Sequence, residues 1–295
     1  MTPVARIRVS AVITHYNRLE LLARAVESVI CQGAVIGEII IVDDRTPGLS
    51  VEEIRRKLPQ DDRVRVVQLL DNGGPQMARN AGLDIATCPV VALLDCDDVW
   101  LPGKVERQVH ELVHAQADIV SSDVYKCYDG VTLIPDKKRR YSGDPVAYLL
   151  CQGGHLQTST LLMWSKVARE LKFDQAIRKF QDWDLIVRAH ARNLRVALIR
   201  VPLSVYHAGT PHQMTGIPDP EQFRVVMARW QGMLSHACQF RARTRVLARF
   251  YVERGEVRKG FSEFADACFE AGALDFGGLA RLVRKVVLGW LRKSC

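Results

Sequence analysis

A chain of 295 residues can bury one large α/β domain with an appendage, or two domains. With 48% hydrophobic and 25% charged residues it has an ordinary globular composition, and no apolar run approaches the roughly 20 residues that span a bilayer. The net charge of +8 is unevenly placed: the residues from Glu221 onward carry 14 basic and 7 acidic side chains, and the first 220 residues carry a net +1. A nucleic-acid-binding role is disfavoured, because the basic residues are dispersed over helices without interleaved aromatics. The first residues, Met1 to Arg8, show no signal-peptide core. The eight cysteines (31, 88, 96, 127, 151, 238, 268 and 295) form no C-x-x-C pair. Both features point to reduced thiols in a cytoplasmic protein, and away from a disulfide framework or a zinc site.

In chain order, Ile7–Tyr16 reads as a strand. Asn17 and Glu20 then form a capping pair for a helix whose apolar stripe is Leu19, Leu22, Val26, Val29 and Ile30. Glu38–Asp44 is a second strand, Val51–Leu58 a short helix, and Val64–Leu70 a third strand. Gly73-Gly74-Pro75 opens another helix, with Pro75 suited to its first position. Val90–Asp95 is an apolar run that reads as a strand buried on both faces. It ends in three carboxylates, Asp95, Asp97 and Asp98. Alternation along the strand puts Asp95 and Asp97 on one side, where clustered negative charge calls for a cation. This βαβαβαβ run argues for a mostly parallel, doubly wound sheet. Ligands bind such sheets beyond the carboxyl ends of the strands. Three exits there are polar: Thr14-His-Tyr-Asn-Arg18, Asp43-Asp44-Arg45-Thr46 and Asp95-Cys-Asp-Asp98.

Val99-Trp-Leu-Pro102 leads to a helix over about 103–114. Ile119–Tyr125 follows as a strand, Lys137–Arg140 as a solvated basic loop, and Leu156–Trp164 as a strand. Gln181–Arg192 is a helix and Arg195–Val201 the last strand. Ala208–Pro220 is a loop or linker, and the remainder is helical. Near the end, Leu279, Leu282, Val283, Val286, Val287 and Trp290 share one helix face, with Arg281, Arg284, Lys285, Arg292 and Lys293 largely elsewhere. Such a helix suits an anionic membrane surface, and equally suits packing on the catalytic domain.

Four blocks, in this order, resemble the family 2 inverting glycosyltransferases of the GT-A fold. They are Val12-Ile-Thr-His-Tyr-Asn-Arg18, Ile39-Ile-Ile-Val-Asp-Asp44, Asn72-Gly-Gly-Pro-Gln-Met-Ala-Arg-Asn-Ala-Gly82 and Leu93-Leu-Asp-Cys-Asp-Asp-Val-Trp-Leu-Pro102. A fifth, Gln181-Asp-Trp-Asp-Leu185, is similar to the acidic motif that opens a helix near the acceptor. The resemblance covers about residues 7–210. It implies a GT-A (Rossmann-like) catalytic domain over 1–215, with a nucleotide half to about 118 and an acceptor half from 119. Residues 216–295 then form a basic helical extension.

By the same resemblance, Thr14, Tyr16 and Asp43 hold the base, Arg79 reaches it from the following helix, and Asp95 contacts the ribose. Asp97 binds Mn²⁺ or Mg²⁺ bridging the diphosphate, Asp98 supports or replaces it, and His207 lies near the metal. Asp182 is the catalytic base, with Asp184 as its competitor unless Asp184 pairs with Arg188. Gln157, Thr158 and Trp183 are acceptor-side candidates, while His15 and His155 receive no role. The implied reaction moves a sugar from a nucleotide diphosphate donor, UDP-linked, to a saccharide or lipid-linked acceptor. The implied context is cell-envelope polysaccharide or lipopolysaccharide synthesis, in the cytoplasm or at the inner face of its membrane. This chain departs from the family pattern in Gln181, where Glu is usual. It also has Arg45-Thr-Pro-Gly where a Gly-Ser-Thr turn is commoner, and Arg45 is placed to pair with Asp43 or Asp44.

Other readings stand beside this one. Leu94-Asp-Cys-Asp-Asp-Val99 also fits the signature of haloacid dehalogenase-type phosphohydrolases, with Asp95 as nucleophile and Asp97 as acid/base. That motif normally closes the first strand of its domain, and here three strands precede it. A dinucleotide-dependent oxidoreductase is disfavoured because the first βα turn lacks glycines. Gln181 leaves room for a relative that binds sugar nucleotide without transferring it.

Overall fold

The computed structural model describes residues 7–135, 141–208 and 219–291, with side chains to 288. The basic loop at 137–140, most of the loop after residue 208 and the Trp290 side chain lie outside the described residues. The chain divides into two compact units: Met1–Lys138 with His155–Pro211, and Arg139–Gly154 with His212–Cys295.

The first unit is built on a nine-stranded sheet. Its strands are β1 (Val9–His15), β2 (Ile36–Asp43), β3 (Val64–Gln68), β4 (Val90–Asp95), β5 (Val99–Trp100), β6 (Ile119–Cys127), β7 (Leu133–Pro135), β8 (Leu162–Trp164) and β9 (Val196–His207). Their order is β3-β2-β1-β4-β8-β6-β9-β5, with β7 beside β6. The β3-β2-β1-β4 half is wholly parallel, as the βα alternation predicts. Beyond β4 the sheet is mixed, with β8 antiparallel to both neighbours and β9 parallel to β6. Every residue of β1 is buried, and β2 and β4 carry the same runs of Val, Ile and Leu. Strands covered on both faces require such runs.

Six helices accompany these strands. They are α1 (Leu19–Ile30), α2 (Val51–Lys57), α3 (Pro75–Ile85), α4 (Lys104–His114), α5 (Ser165–Leu171) and α6 (Gln181–Ala191). The α1 stripe packs as its spacing implies, with Leu22, Ala25, Val26 and Val29 in the core. Its capping pair does not form. Asn17 takes a left-handed φ of 54°, its N–H goes to the Thr46 hydroxyl, and the N-cap is Arg18. The capping box lies instead at Ser50 and Glu53, opening α2. Pro75 occupies the start of α3 as expected. The stretch read as one strand over Leu156–Trp164 is a 3₁₀ turn at Thr158–Thr160 followed by the short β8. Because β4 stops at Asp95, strand alternation does not extend to Asp97, which sits in the turn beyond.

The second unit is helical. A π-helical turn at Ala147–Cys151 joins α7 (Pro220–Arg229), α8 (His236–Ala242), α9 (Ala248–Glu253), α10 (Val257–Ala271) and α11 (Phe276–Leu291). A second π turn, Arg243–Leu247, connects α8 to α9. Its core gathers Ala248, Val252, Phe264, Cys268 and Leu282, with Phe240, Phe261 and Val286 against it. Leu282 and Val286 therefore pack, while Leu279, Val283 and Val287 of the same predicted stripe stay exposed. Among the described residues no helix is long and apolar enough to cross a membrane.

Candidate active site

The carboxyl ends of β2, β1 and β4 lie side by side, with Thr14 in register with Val42 on one side and Asp95 on the other. Beside it, His15 pairs in register with Asp43. Asp43 is wholly buried and accepts from four donors. These are His15 Nδ1 at 2.7 Å, the Thr46 hydroxyl at 2.6 Å, the Thr46 N–H at 2.9 Å and Gln68 Nε2 at 2.8 Å. Burial pushes this carboxyl up, but the bonds from His15, Thr46 and Gln68 outweigh it and hold the pKa near 2. His15 Nε2 accepts the Arg18 N–H at 3.1 Å, so the proton sits on Nδ1 and faces Asp43.

Asp43 is therefore a brace for the two strand exits, with no surface left at the rim. Asp44 accepts from the N–H groups of Gly73 and Gly74, both at 2.8 Å, and so fixes the turn that starts α3. Arg45 bonds Gln68 at 2.9 Å and not the carboxylates expected for it. Tyr16, 44% exposed, is available at the rim, and Thr14 is nearly buried between the strands.

A second group forms around Arg79, carried inward on α3. Its guanidinium donates to Asp95 at 2.7 Å and to the Gln181 side-chain oxygen at 2.5 Å, and lies 5.1 Å from the centre of the Phe173 ring. Gln181 Nε2 in turn donates to the Arg178 carbonyl at 2.7 Å. The Gln181 position thus keeps its polar contact to Arg79 but brings no charge.

Next along α6, Asp182 is partly exposed and accepts the Trp183 N–H at 2.9 Å. Its pKa is raised to about 6. Burial is the chief cause, opposed by the Trp183 N–H and Arg79 and reinforced by Asp95. Asp184 is committed elsewhere, paired with Arg188 at 2.7 Å. Arg188 also donates to the carbonyls of Leu171 and Lys172. Of the two acidic residues, Asp182 is the one whose chemistry suits a base working near neutral pH.

The third group is the turn after β4. Asp98 is almost fully buried. One oxygen accepts from the Ser159 hydroxyl at 2.5 Å and the Gln157 amide at 3.4 Å, and the other from the His207 N–H at 3.0 Å. Burial, then Asp97 and Asp95, drives its pKa well upward. Asp98 thus anchors β4, the 3₁₀ turn and β9 to one another.

Ser159 is the residue that sequence reasoning missed. Its hydroxyl also accepts the Asp95 N–H at 3.1 Å, and its carbonyl accepts Trp100 Nε1 at 3.0 Å. It thereby ties both ends of the acidic motif. The only sequence signal for it was a polar Gln-Thr-Ser-Thr run inside an apolar stretch. Gln157 and Thr158 lie buried in this same turn, and Gln157 also bonds His155 at 2.7 Å. Trp183 is half-buried, its ring 5.7 Å from that of Phe180.

Asp97 faces a guanidinium, Arg18 at 2.5 Å, while Arg24 donates to the Asp97 carbonyl at 3.1 Å. Burial and the nearby Arg24 charge lower the pKa of His207, which bonds the Asp97 backbone. No cluster of three His, Cys, Asp or Glu side chains forms a metal cage among the described residues. A hard divalent ion binding a diphosphate needs none, since one or two carboxylates plus phosphate oxygens and waters complete its shell. Asp97 offers one such carboxylate, engaged here by Arg18.

The family model for glycosyl transferase family 2 matches residues 10–171, and the chain belongs to that family. Membership of that family sets aside the phosphohydrolase reading of Asp95 and Asp97. Two curated relatives indicate its neighbourhood. The amylovoran biosynthesis glycosyltransferase AmsB of Erwinia amylovora is 29% identical over 210 residues, covering 68% of this chain and 70% of that protein. The succinoglycan biosynthesis protein ExoO of Rhizobium meliloti is 30% identical over 219 residues, covering 68% of this chain and 60% of that protein. Among solved structures, S. aureus TarS 1-349 in complex with UDP-GlcNAc superposes with a TM-score of 0.60 at 18% identity. The match covers 90% of this chain and 80% of that one, and it establishes a shared fold.

Proposed function

We propose that this glycosyltransferase moves a sugar from a UDP-sugar to a saccharide or lipid-linked acceptor, with inversion at the anomeric carbon, during cell-envelope polysaccharide synthesis. The observation that carries the reading is Asp182, a carboxylate with a pKa of about 6, next to the Arg79–Asp95 pair at the mouth of the parallel strands. Inversion needs one base on the face opposite the leaving group, and Asp182 would take the proton of the acceptor hydroxyl as it attacks. Thr14 and Tyr16 would meet the base, with Asp43 and Asp44 holding the turns that place them. Arg79 would orient Asp95 toward the ribose and steady the charge of Asp182. Asp97, with His207 beside it, would hold Mn²⁺ or Mg²⁺, which when bound neutralises the charge growing on a departing diphosphate. Gln157, Thr158 and Trp183 are proposed for the acceptor side. The UDP donor is supported by the UDP-GlcNAc complex of TarS, and the polysaccharide context by the two named relatives.

Two substitutions test this. Asp182→Asn should lower transfer about 10²–10⁴-fold, the usual contribution of such a base, while the affinity for UDP stays as in the wild type. Asp97→Asn should weaken UDP binding measured with Mn²⁺ and leave the weaker metal-free binding nearly unchanged. Calorimetry with UDP, with and without Mn²⁺, separates the two variants. Near-normal turnover in Asp182→Asn would overturn the assignment.

A further inference from the structure

α11 has two apolar faces, and the fold uses one. Leu282 is buried in the helical core and Val286 packs beside it. About a quarter-turn away, Phe276, Leu279, Val283 and Val287 recur at intervals of three and four residues. They remain 74, 38, 46 and 50% exposed. At the same end of the helix, Phe269 and Leu274 add side chains that are 89 and 73% exposed. A stripe of this length left in water is uncommon unless something covers it.

The charges beside the stripe identify the cover. Arg284 borders it, and Arg281 and Lys285 follow further round, all exposed. Of these, Lys285 is paired with Glu253, and Arg281 too has a partner within the protein. The sequence of α11 contains no acidic residue, and the chain from Glu221 onward carries a net +7. A second copy laid on this face would bring the same positive charge against its own. An anionic lipid surface would accept the aliphatic stripe at the acyl boundary and the arginines among its headgroups. Exposed phenylalanines at one end suit the same interface. We propose that this face of α11 rests on an anionic bilayer surface, lying in its plane and not crossing it. The proposal does not depend on which sugar the enzyme moves.

The test is co-sedimentation of the full chain with vesicles of phosphatidylglycerol mixed with phosphatidylcholine, against phosphatidylcholine alone. The wild type should pellet with the anionic vesicles and release as salt rises. Val283→Gln with Val287→Gln should cut partitioning by roughly tenfold or more. Arg281→Gln with Arg284→Gln should cut it by roughly tenfold and flatten the salt dependence. All four positions are exposed, so a folded state with unchanged UDP affinity serves as the control. The proposal is overturned by absence of pelleting, by equal binding to neutral vesicles, or by equal pelleting of the valine variant. Concentration-dependent dimerisation abolished by the valine substitutions would also overturn it, by assigning the face to a second copy.

Discussion

At Asp182, opposing effects set a working pKa. Burial raises the carboxyl, the Trp183 N–H and Arg79 pull it back, and Asp95 pushes it up again, leaving it near 6. In its proposed role as the base Asp182 must be ionised, so transfer should fall about tenfold per unit as pH drops below 6, where an ordinary Asp would hold out to about 4. Gln181→Glu should move that limb to higher pH, because it adds a negative neighbour and competes for Arg79. A pH profile of transfer decides, and an unmoved limb in the variant would show that Gln181 does not sense Asp182. The same shift has a stability consequence. A carboxyl raised in the folded state favours folding below the unfolded pKa of about 4, and that contribution is lost as pH rises through 6. Asp182→Asn, which cannot charge, should therefore be about 1–2 kcal/mol more stable than wild type at pH 8, and the gain should vanish below pH 4. Denaturant titrations at the two pH values read this directly. The motif residues were legible in the sequence because carboxylates at strand exits are conspicuous. Their partners were not. His15, Thr46, Gln68 and Ser159 gain their roles from contacts 3 to 64 positions away in sequence.

Elements were legible where one periodicity ruled. The buried strands β1, β2 and β4 and the stripe of α1 came out nearly to the residue. The stretch around Thr158–Thr160 did not, because a polar 3₁₀ turn between apolar residues imitates a strand. Nor did the short α5, whose Ser165–Leu171 sequence has too few turns to show a period. The placement of α3 depends on a close approach that only a bare backbone permits. A methyl built on Gly82 collides with Val12 of β1 and comes within 3.3 Å of Val42 of β2. Gly82→Ala must push α3 off the sheet, and Arg79 lies on that helix one turn earlier. The variant should lose about 1–3 kcal/mol of stability by overpacking and bind UDP more weakly, in proportion to the displacement of Arg79. Unfolding midpoints with UDP calorimetry check both, and an unchanged midpoint would refute the close-packing account.

At the scale of the whole chain, charge and unit membership part company with sequence order. Sequence order places 139–154 in the catalytic part, yet the structure joins it to the helical unit. There the π turn brings Cys151 Sγ within 3.8 Å of Cys238, and the Cys151 carbonyl accepts Arg245 at 2.8 Å. Long-range contacts of this kind leave no local pattern to read. The basic excess of the helical unit is likewise partly spent inside it, on Glu263 and Asp275. Glu263, only 3% exposed, receives both Arg224 and Arg243. Arg224 is half exposed and can turn to water, so losing the carboxylate should cost less than breaking a fully buried pair. Glu263→Gln is expected to destabilise the helical unit by about 2 kcal/mol. The residues proposed to hold the donor belong to the other unit, so the two effects should be additive. The thermal midpoint should fall while the upward shift caused by a fixed excess of UDP keeps its size. A shrunken UDP shift in Glu263→Gln would mean that the helical unit bears on donor binding.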